Sequence, residues 1–178
     1  KISEFTLLRK DPKYVGRAKD AQAYEKARLS GDRKTAAEFY APLKNVGIDV
    51  DKNLDTLLAT TGIGSVLYAK RPGDGSAREY AASCQKVLGG LANICIEYAT
   101  KRYRSNCVNW GMLPFTNPDD NIDLKVGEWV WLPNIREIVA ENKGGIDART
   151  LHLDLKILND TERKTLLAGS MINLFKES

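Results

Sequence analysis

The stretch that most constrains this chain runs from Gly64 to Gly89. An apolar run, Gly64-Ser65-Val66-Leu67-Tyr68-Ala69, leads into Gly73-Asp74-Gly75-Ser76-Ala77-Arg78-Glu79-Tyr80. Ala81-Ala82-Ser83-Cys84-Gln85-Lys86-Val87-Leu88-Gly89 follows. A short apolar run, paired glycines and an alanine-rich amphipathic run predict a strand, a tight loop and a helix. Glycine reaches left-handed backbone angles without steric cost, so Gly73 and Gly75 are expected to let the loop turn sharply beside a ligand. A helix beginning near Ala77 points unpaired amides and the positive end of its dipole at that loop. Ser76 brings a hydroxyl, and Arg78 a planar cationic fork suited to a carboxylate or phosphate. The pattern therefore reads as an anion site beside a proton-transfer group. The structural alternative is that Ser76 caps the helix and Arg78 pairs with Glu79 or solvent.

With 178 residues there is room for one domain with a sizeable core, or a domain plus an appendage. The 27 basic and 23 acidic side chains leave a net charge of +4, which suits an anionic substrate without demanding nucleic acid. No apolar run is long enough to span a bilayer, and the N-terminus has no signal-peptide pattern. The chain opens at Lys1 and is read as part of a longer protein. Cys84, Cys95 and Cys107 form no C-x-x-C pair, so buried thiols in a reducing cytoplasm are expected rather than a disulfide framework.

Along the chain, Lys1–Tyr14 reads as an extended segment or linker, and Gly16–Leu29 and Arg33–Leu43 as helices. Leu54–Ala59 reads as a third, short helix. The basic residues Arg17, Lys19, Lys26, Arg28, Arg33 and Lys34 are interleaved with acids, as on a solvated helix face. Ala92–Ala99 reads as a core strand and Thr100–Trp110 as a helix. In that helix Lys101-Arg102-Tyr103-Arg104 either turns Tyr103 inward or forms a basic-aromatic patch for RNA. Leu124–Leu132 is β-rich, with Trp129 and Trp131 expected on one sheet face. Ile135–Asn142 reads as a helix ended by Gly144-Gly145, and Leu151–Ile157 as a half-buried strand with His152 on its polar face. Asn159 and Glu162 form a capping-box start for a helix over Thr161–Phe175. There is no Ser/His/Asp set, no phosphate-loop lysine after the glycines and no suitable ligand cluster in the sequence.

Gly73–Ala82 resembles the Gly-x-Gly-Ser-Ser-Arg-Glu/Asp-x-Ala-Ala segment of the aconitase and isopropylmalate dehydratase family, which lies in its C-terminal swivel domain. Leu88-Gly89-Gly90, Tyr98–Asn106, Gly111-Met112-Leu113-Pro114-Phe115 and the closing Leu158–Asn173 are similar to later elements of that family, in the same order. The resemblance implies a swivelling β/β/α three-layer α/β domain with a partly parallel sheet over 54–178. Residues 1–53 are a helical part of the same domain or a linker. It implies that the chain is one domain of an aconitase-like hydro-lyase acting on a hydroxy di- or tricarboxylic acid, and inactive alone. Ser76 would be the base at the carbon-bound proton and Arg78 the carboxylate ligand. Gly75, Ala77 and, in the N-terminal part, Arg17 are the other substrate positions implied.

A [4Fe–4S] cluster would be bound by partner domains and not by this chain. The partners implied are those cluster-bearing domains and a carboxylate substrate, with no membrane and no nucleic acid expected. Ala77 stands where the family has a second serine, and Lys101 and Tyr103 stand for its arginine and histidine. Asn106 matches the family and is expected to hydrogen-bond from helix to loop. The alternatives are an RNA-binding or regulatory module and a non-catalytic relative, for which Ala77 argues.

Overall fold

The computed structural model describes residues 11–148 and 151–176. Most of the expected extended segment Lys1–Tyr14 therefore lies outside the described residues. Three helices come first: α1 (Tyr14–Ser30), α2 (Arg33–Tyr40) and α3 (Val50–Thr60), with a 3₁₀ segment Ala41–Val46 between the last two. The chain then alternates β1 (Ser65–Tyr68), α4 (Arg78–Val87), β2 (Gly90–Cys95), α5 (Lys101–Asn109) and β3 (Leu113–Thr116). It finishes with α6 (Ile135–Glu141), β4 (Gly145–Ala148), β5 (Leu151–Asp154), α7 (Asp160–Ala168) and α8 (Met171–Lys176).

The five strands form one sheet in the order β1-β2-β3-β5-β4. β1, β2 and β3 are parallel, each joined to the next through a helix, while β5 runs antiparallel to β3 and to β4. The fold is thus α/β with a partly parallel sheet, as the resemblance implies. Parallel strands need a crossover between them, and α4 and α5 supply it.

β2 shows why the sheet is closed on both sides. Ile94 lies opposite Tyr68 and Phe115, and Asn93 opposite Leu67 and Pro114. Successive side chains point to opposite faces. Ala92, Ile94 and Phe115 join Ile146, Leu151, Leu153, Leu155 and Leu166 in the main core. Asn93, on the other face, donates from Nδ2 to Sγ of Cys107 in α5 at 3.1 Å. A strand covered on both faces is mostly buried along its length, and β2 is so at every position but Leu91.

The N-terminal helices build a second core from Ala36, Tyr40, Val50, Leu57 and Ile63. They are tied to the sheet region by polar contacts. Glu25 Oε2 accepts from the Ile63 amide at 2.8 Å, Gln22 Nε2 donates to the Val87 carbonyl at 2.9 Å, and the Tyr14 and Ser65 hydroxyls lie 3.3 Å apart.

Four expectations need correction. Leu124–Leu132 forms no strand; it is an irregular strap turning at Gly127. Trp129 and Trp131 do not share a sheet face. The Trp129 ring stands edge-on to Phe39, centroids 4.4 Å apart, and Trp131 packs on the same helical core. The strand expected over Leu151–Ile157 stops at Asp154, because Lys156 takes a left-handed φ of 51° and Ile157 turns out to solvent. The closing helix is broken by Gly169 at φ 83° into α7 and α8. Its start carries the expected capping box between Asn159 and Glu162.

Candidate functional site

The site is built where β1 ends. From Ala69 onward the chain leaves the sheet alongside the segment that leaves β2. Ala69 N donates to Ile94 O at 3.1 Å, Ile96 N to Lys70 O at 3.1 Å, and Ala99 N to Pro72 O at 2.9 Å. The chain then turns at Gly73, whose φ is 95°. A Cβ there would stand 2.4 Å from Cβ of Tyr103, so glycine is required for both angle and space. The Gly73 carbonyl accepts two hydrogen bonds, from Arg78 Nε at 3.0 Å and from Thr100 Oγ1 at 3.1 Å.

Gly75 behaves otherwise. Its φ is not left-handed, and a Cβ on it would meet nothing within 4 Å. The sharp turn expected of both glycines belongs to Gly73 alone.

Ser76 and Ala77 are exposed and Arg78 is half-buried. Ala77 is the N-cap of α4 and makes no side-chain cap, so the first-turn amides of this ten-residue helix face the loop unbonded by any capping side chain. Ser76 therefore does not cap the helix, and among the described residues its hydroxyl has no hydrogen-bond partner. Arg78 does not pair with Glu79, whose carboxylate instead accepts from Trp110 Nε1 at 2.6 Å. Lys70 and Arg71, leaving the same strand end, pair with Asp120 at 3.1 Å and Glu97 at 2.8 Å. Arg78 anchors only its Nε, and its two Nη groups have no partner among the described residues. A guanidinium pinned at Nε keeps a two-pronged face for a carboxylate.

Arg17 lies on α1, ion-paired with Asp11 and with its Cδ close to Gly127. No hydrogen bond or ion pair joins it to residues 73–78. Asn106 contributes a backbone carbonyl to Trp110 N at 3.2 Å, and among the described residues its side chain makes no bond of the expected kind. In the basic helix Tyr103 is buried, and Arg104 pairs with Glu162 at 2.5 Å with both side chains less than a fifth exposed. Only Lys101 and Arg102 of that stretch face solvent.

Thr100 went unnoticed as a site residue. It is the N-cap of α5, accepting from Tyr103 N at 3.2 Å, and a threonine just before a helical run signals that much. No local pattern could reveal its bond to Gly73, 27 positions back.

All three cysteines are buried and free. Burial pushes the Cys95 thiol up to about 12 and the Cys107 thiol up to about 11. Cys95 Sγ donates toward Phe115 O at 3.7 Å, and Cys107 Sγ accepts from Asn93. Iron–sulfur clusters are held by grouped cysteine thiolates, and no group of three or more His, Cys, Asp or Glu side chains that could hold a metal ion occurs among the described residues. The exposed His152 is held between Asp147, 2.7 Å away, and Asp154, 3.4 Å away, and the Asp147 carboxylate raises its pKa above 6.5.

Two surface concavities, about 380 and 300 Å³, are lined by the 123–130 strap with β4 and β5, and by α6 with the same strands. Neither includes residues 73–78, of which 74–77 are exposed. No helix among the described residues is long and apolar enough to cross a membrane.

No family model matches the chain. It is 30% identical over 131 residues to an aconitate hydratase A of Rickettsia bellii, an overlap of 66% of this chain. It is 31% identical over 131 residues to that of Rickettsia conorii, an overlap of 65%. The chain spans about 15% of the length of these curated relatives. A solved structure of a 3-isopropylmalate dehydratase from Methanocaldococcus jannaschii superposes with a TM-score of 0.48 and 24% identity, covering 69% of this chain and 70% of that one. Sequence identity of this extent, in a chain that folds around a partly parallel sheet, supports a swivel-like domain of the aconitase family.

Proposed function

We propose that this chain is the catalytic swivel domain of a hydro-lyase that reversibly dehydrates a hydroxy di- or tricarboxylic acid. In this reading Ser76 exchanges the carbon-bound proton and Arg78 grips a substrate carboxylate. One observation carries it: Arg78 is fixed through Nε to Gly73 while, among the described residues, its outer fork is unpaired, two residues from a serine hydroxyl that also has no partner. Lys70 and Arg71, which leave the same strand end, are by contrast ion-paired.

The chemistry follows from the parts. An isolated serine is a weak base, and no histidine stands near it to activate it. The uncapped amides of α4 and the Arg78 charge both favour a negative oxygen at Ser76. Arg78 would orient the substrate by two parallel hydrogen bonds to one carboxylate, leaving the acidic carbon proton toward the serine. Ala77 offers no second hydroxyl, so substrate contacts at that position are weaker or differently chosen than in relatives with serine there.

The iron–sulfur cluster and the group that removes the hydroxyl belong, in this proposal, to partner domains that close over the open loop. Residues 11–60 are taken as part of the same domain, supported by the bonds from Glu25, Gln22 and Tyr14. Placement in the cytoplasm is proposed on the three unpaired thiols. The RNA-binding reading loses support because two of its four residues, Tyr103 and Arg104, are engaged internally.

The test uses the full-length protein with a panel of hydroxy acids and their unsaturated partners, aconitate included. Ser76→Ala is expected to lower kcat by about 10²–10⁴-fold with KM little changed. Arg78→Lys is expected to raise KM by about tenfold or more, since lysine cannot hold Gly73 and fork a carboxylate at once. Turnover equal to wild type in the folded Ser76→Ala protein would refute the assignment.

A further inference from the structure

The loop that carries Ser76 and Arg78 is held by a residue on a different element. The Thr100 side chain does two jobs at once. Its Oγ1 accepts from Tyr103 N at 3.2 Å, capping α5, and donates its proton to the Gly73 carbonyl at 3.1 Å. The same carbonyl takes Arg78 Nε at 3.0 Å, so the two donors converge on one oxygen. Tyr103, one turn into α5, presses its Cβ and ring against the α-carbon of Gly73. Ala99 N, just before Thr100, holds the Pro72 carbonyl at 2.9 Å. Residues 72 and 73 are thus bonded to the segment 99–103 through main chain, side chain and van der Waals contact.

Beyond Gly73 the situation reverses. Among the described residues the Ser76 hydroxyl has no hydrogen-bond partner, a Cβ on Gly75 would meet nothing within 4 Å, and α4 begins without a side-chain cap. The direction of the Arg78 fork is therefore set by where the Gly73 oxygen sits, and that is set from α5. We propose that Thr100 is a positioning residue for this site: through the Gly73 carbonyl it orients the Arg78 guanidinium, and with it the carboxylate of an anionic substrate. The role rests on the proposed reading of Ser76 and Arg78, but the bracing itself does not.

Two substitutions separate bracing from helix capping. Thr100→Ser keeps both the acceptor and the proton. Thr100→Asp keeps an acceptor for the Tyr103 amide but brings a carboxylate, with no proton to give, against the Gly73 oxygen. Aspartate is as good an N-cap as threonine, so α5 itself should keep its stability. In the full-length protein, Thr100→Asp is expected to keep the melting temperature within a few degrees. It should speed hydrogen exchange of the Ala99 amide at least tenfold, and raise KM for the hydroxy acid about tenfold with a smaller change in kcat. Thr100→Ser should restore wild-type values for all three.

An Ala99 amide that exchanges at the wild-type rate in a folded Thr100→Asp protein would overturn the proposal. So would an unchanged KM in an enzyme that turns over. If no acid is turned over by wild type, the reading of Ser76 and Arg78 fails, while the exchange rate still decides whether Thr100 braces the loop.

Discussion

At Gly73 a single residue meets two independent demands. Its φ of 95° excludes side chains on backbone grounds, and the Tyr103 side chain excludes them on packing grounds. Gly73→Ala is expected to destabilise the fold by about 2–4 kcal/mol, combining left-handed strain with overpacking. Gly75→Ala, where a Cβ meets open space and φ is ordinary, is expected to fall within about 0.5 kcal/mol of wild type. Urea midpoints of the two variants make the comparison. Equal losses would mean that the loop turns at both glycines. The pairing of glycines two apart is plain in the sequence, but their difference is not. It depends on a tyrosine 30 positions away that folds in beneath only one of them.

At the scale of elements, the start of α7 is fastened to α5. Asn159 and Glu162 cap each other, with the Glu162 amide 2.9 Å from Asn159 Oδ1 and the Asn159 amide 3.0 Å from Glu162 Oε2. The other oxygen of Glu162 takes Arg104 at 2.5 Å, with 18% and 19% of the two side chains exposed. Glu162→Ala removes half the cap and leaves a largely enclosed guanidinium without its partner. The expected cost is about 2–3 kcal/mol, against about 1 kcal/mol for Asn159→Ala. Chemical denaturation checks the order, and a Glu162→Ala cost no larger than that of Asn159→Ala would show the ion pair to be idle. The capping box is legible because both partners lie within four residues. The ion pair is not, because its partners are 58 positions apart. That separation is also why Arg104 reads, in sequence, as one more cation of an exposed basic run.

On the scale of the whole molecule, the sheet core and the helical core are joined across the 122–131 strap. Trp129 and Trp131 pack with Phe39 and its neighbours, while Ile122 and Leu124, a few residues earlier, pack on the sheet core. Residues 11–60 and the sheet are expected to unfold together. Tyr40, 2% exposed, donates its hydroxyl to Thr61 O at 2.7 Å, and Tyr40→Phe should cost about 1 kcal/mol. The midpoints from Trp129 and Trp131 fluorescence, in a Trp110→Phe background, and from far-UV circular dichroism are expected to shift equally. Two separated transitions would show the helical part to be an independent unit.

Local chemistry was enough for part of this architecture. A short apolar run, two glycines and an alanine-rich run specify β1, the loop and α4, because each element's signal lies within a few residues of itself. The same holds for α1, α2, the Asn159 cap and the buried cysteines. Other elements were settled by partners distant in sequence. β4 hides behind Gly144-Gly145, which reads as a helix stop, and becomes a strand only by pairing with β5. The 124–132 segment has strand composition but no strand; Trp129 packs instead on Phe39 and Tyr24, and Trp131 on the helical core. The site divides in the same way. Ser76 and Arg78 are visible in sequence, while the Gly73 oxygen that accepts from the arginine also accepts from Thr100 at the next crossover helix, a contact that only the folded chain can make.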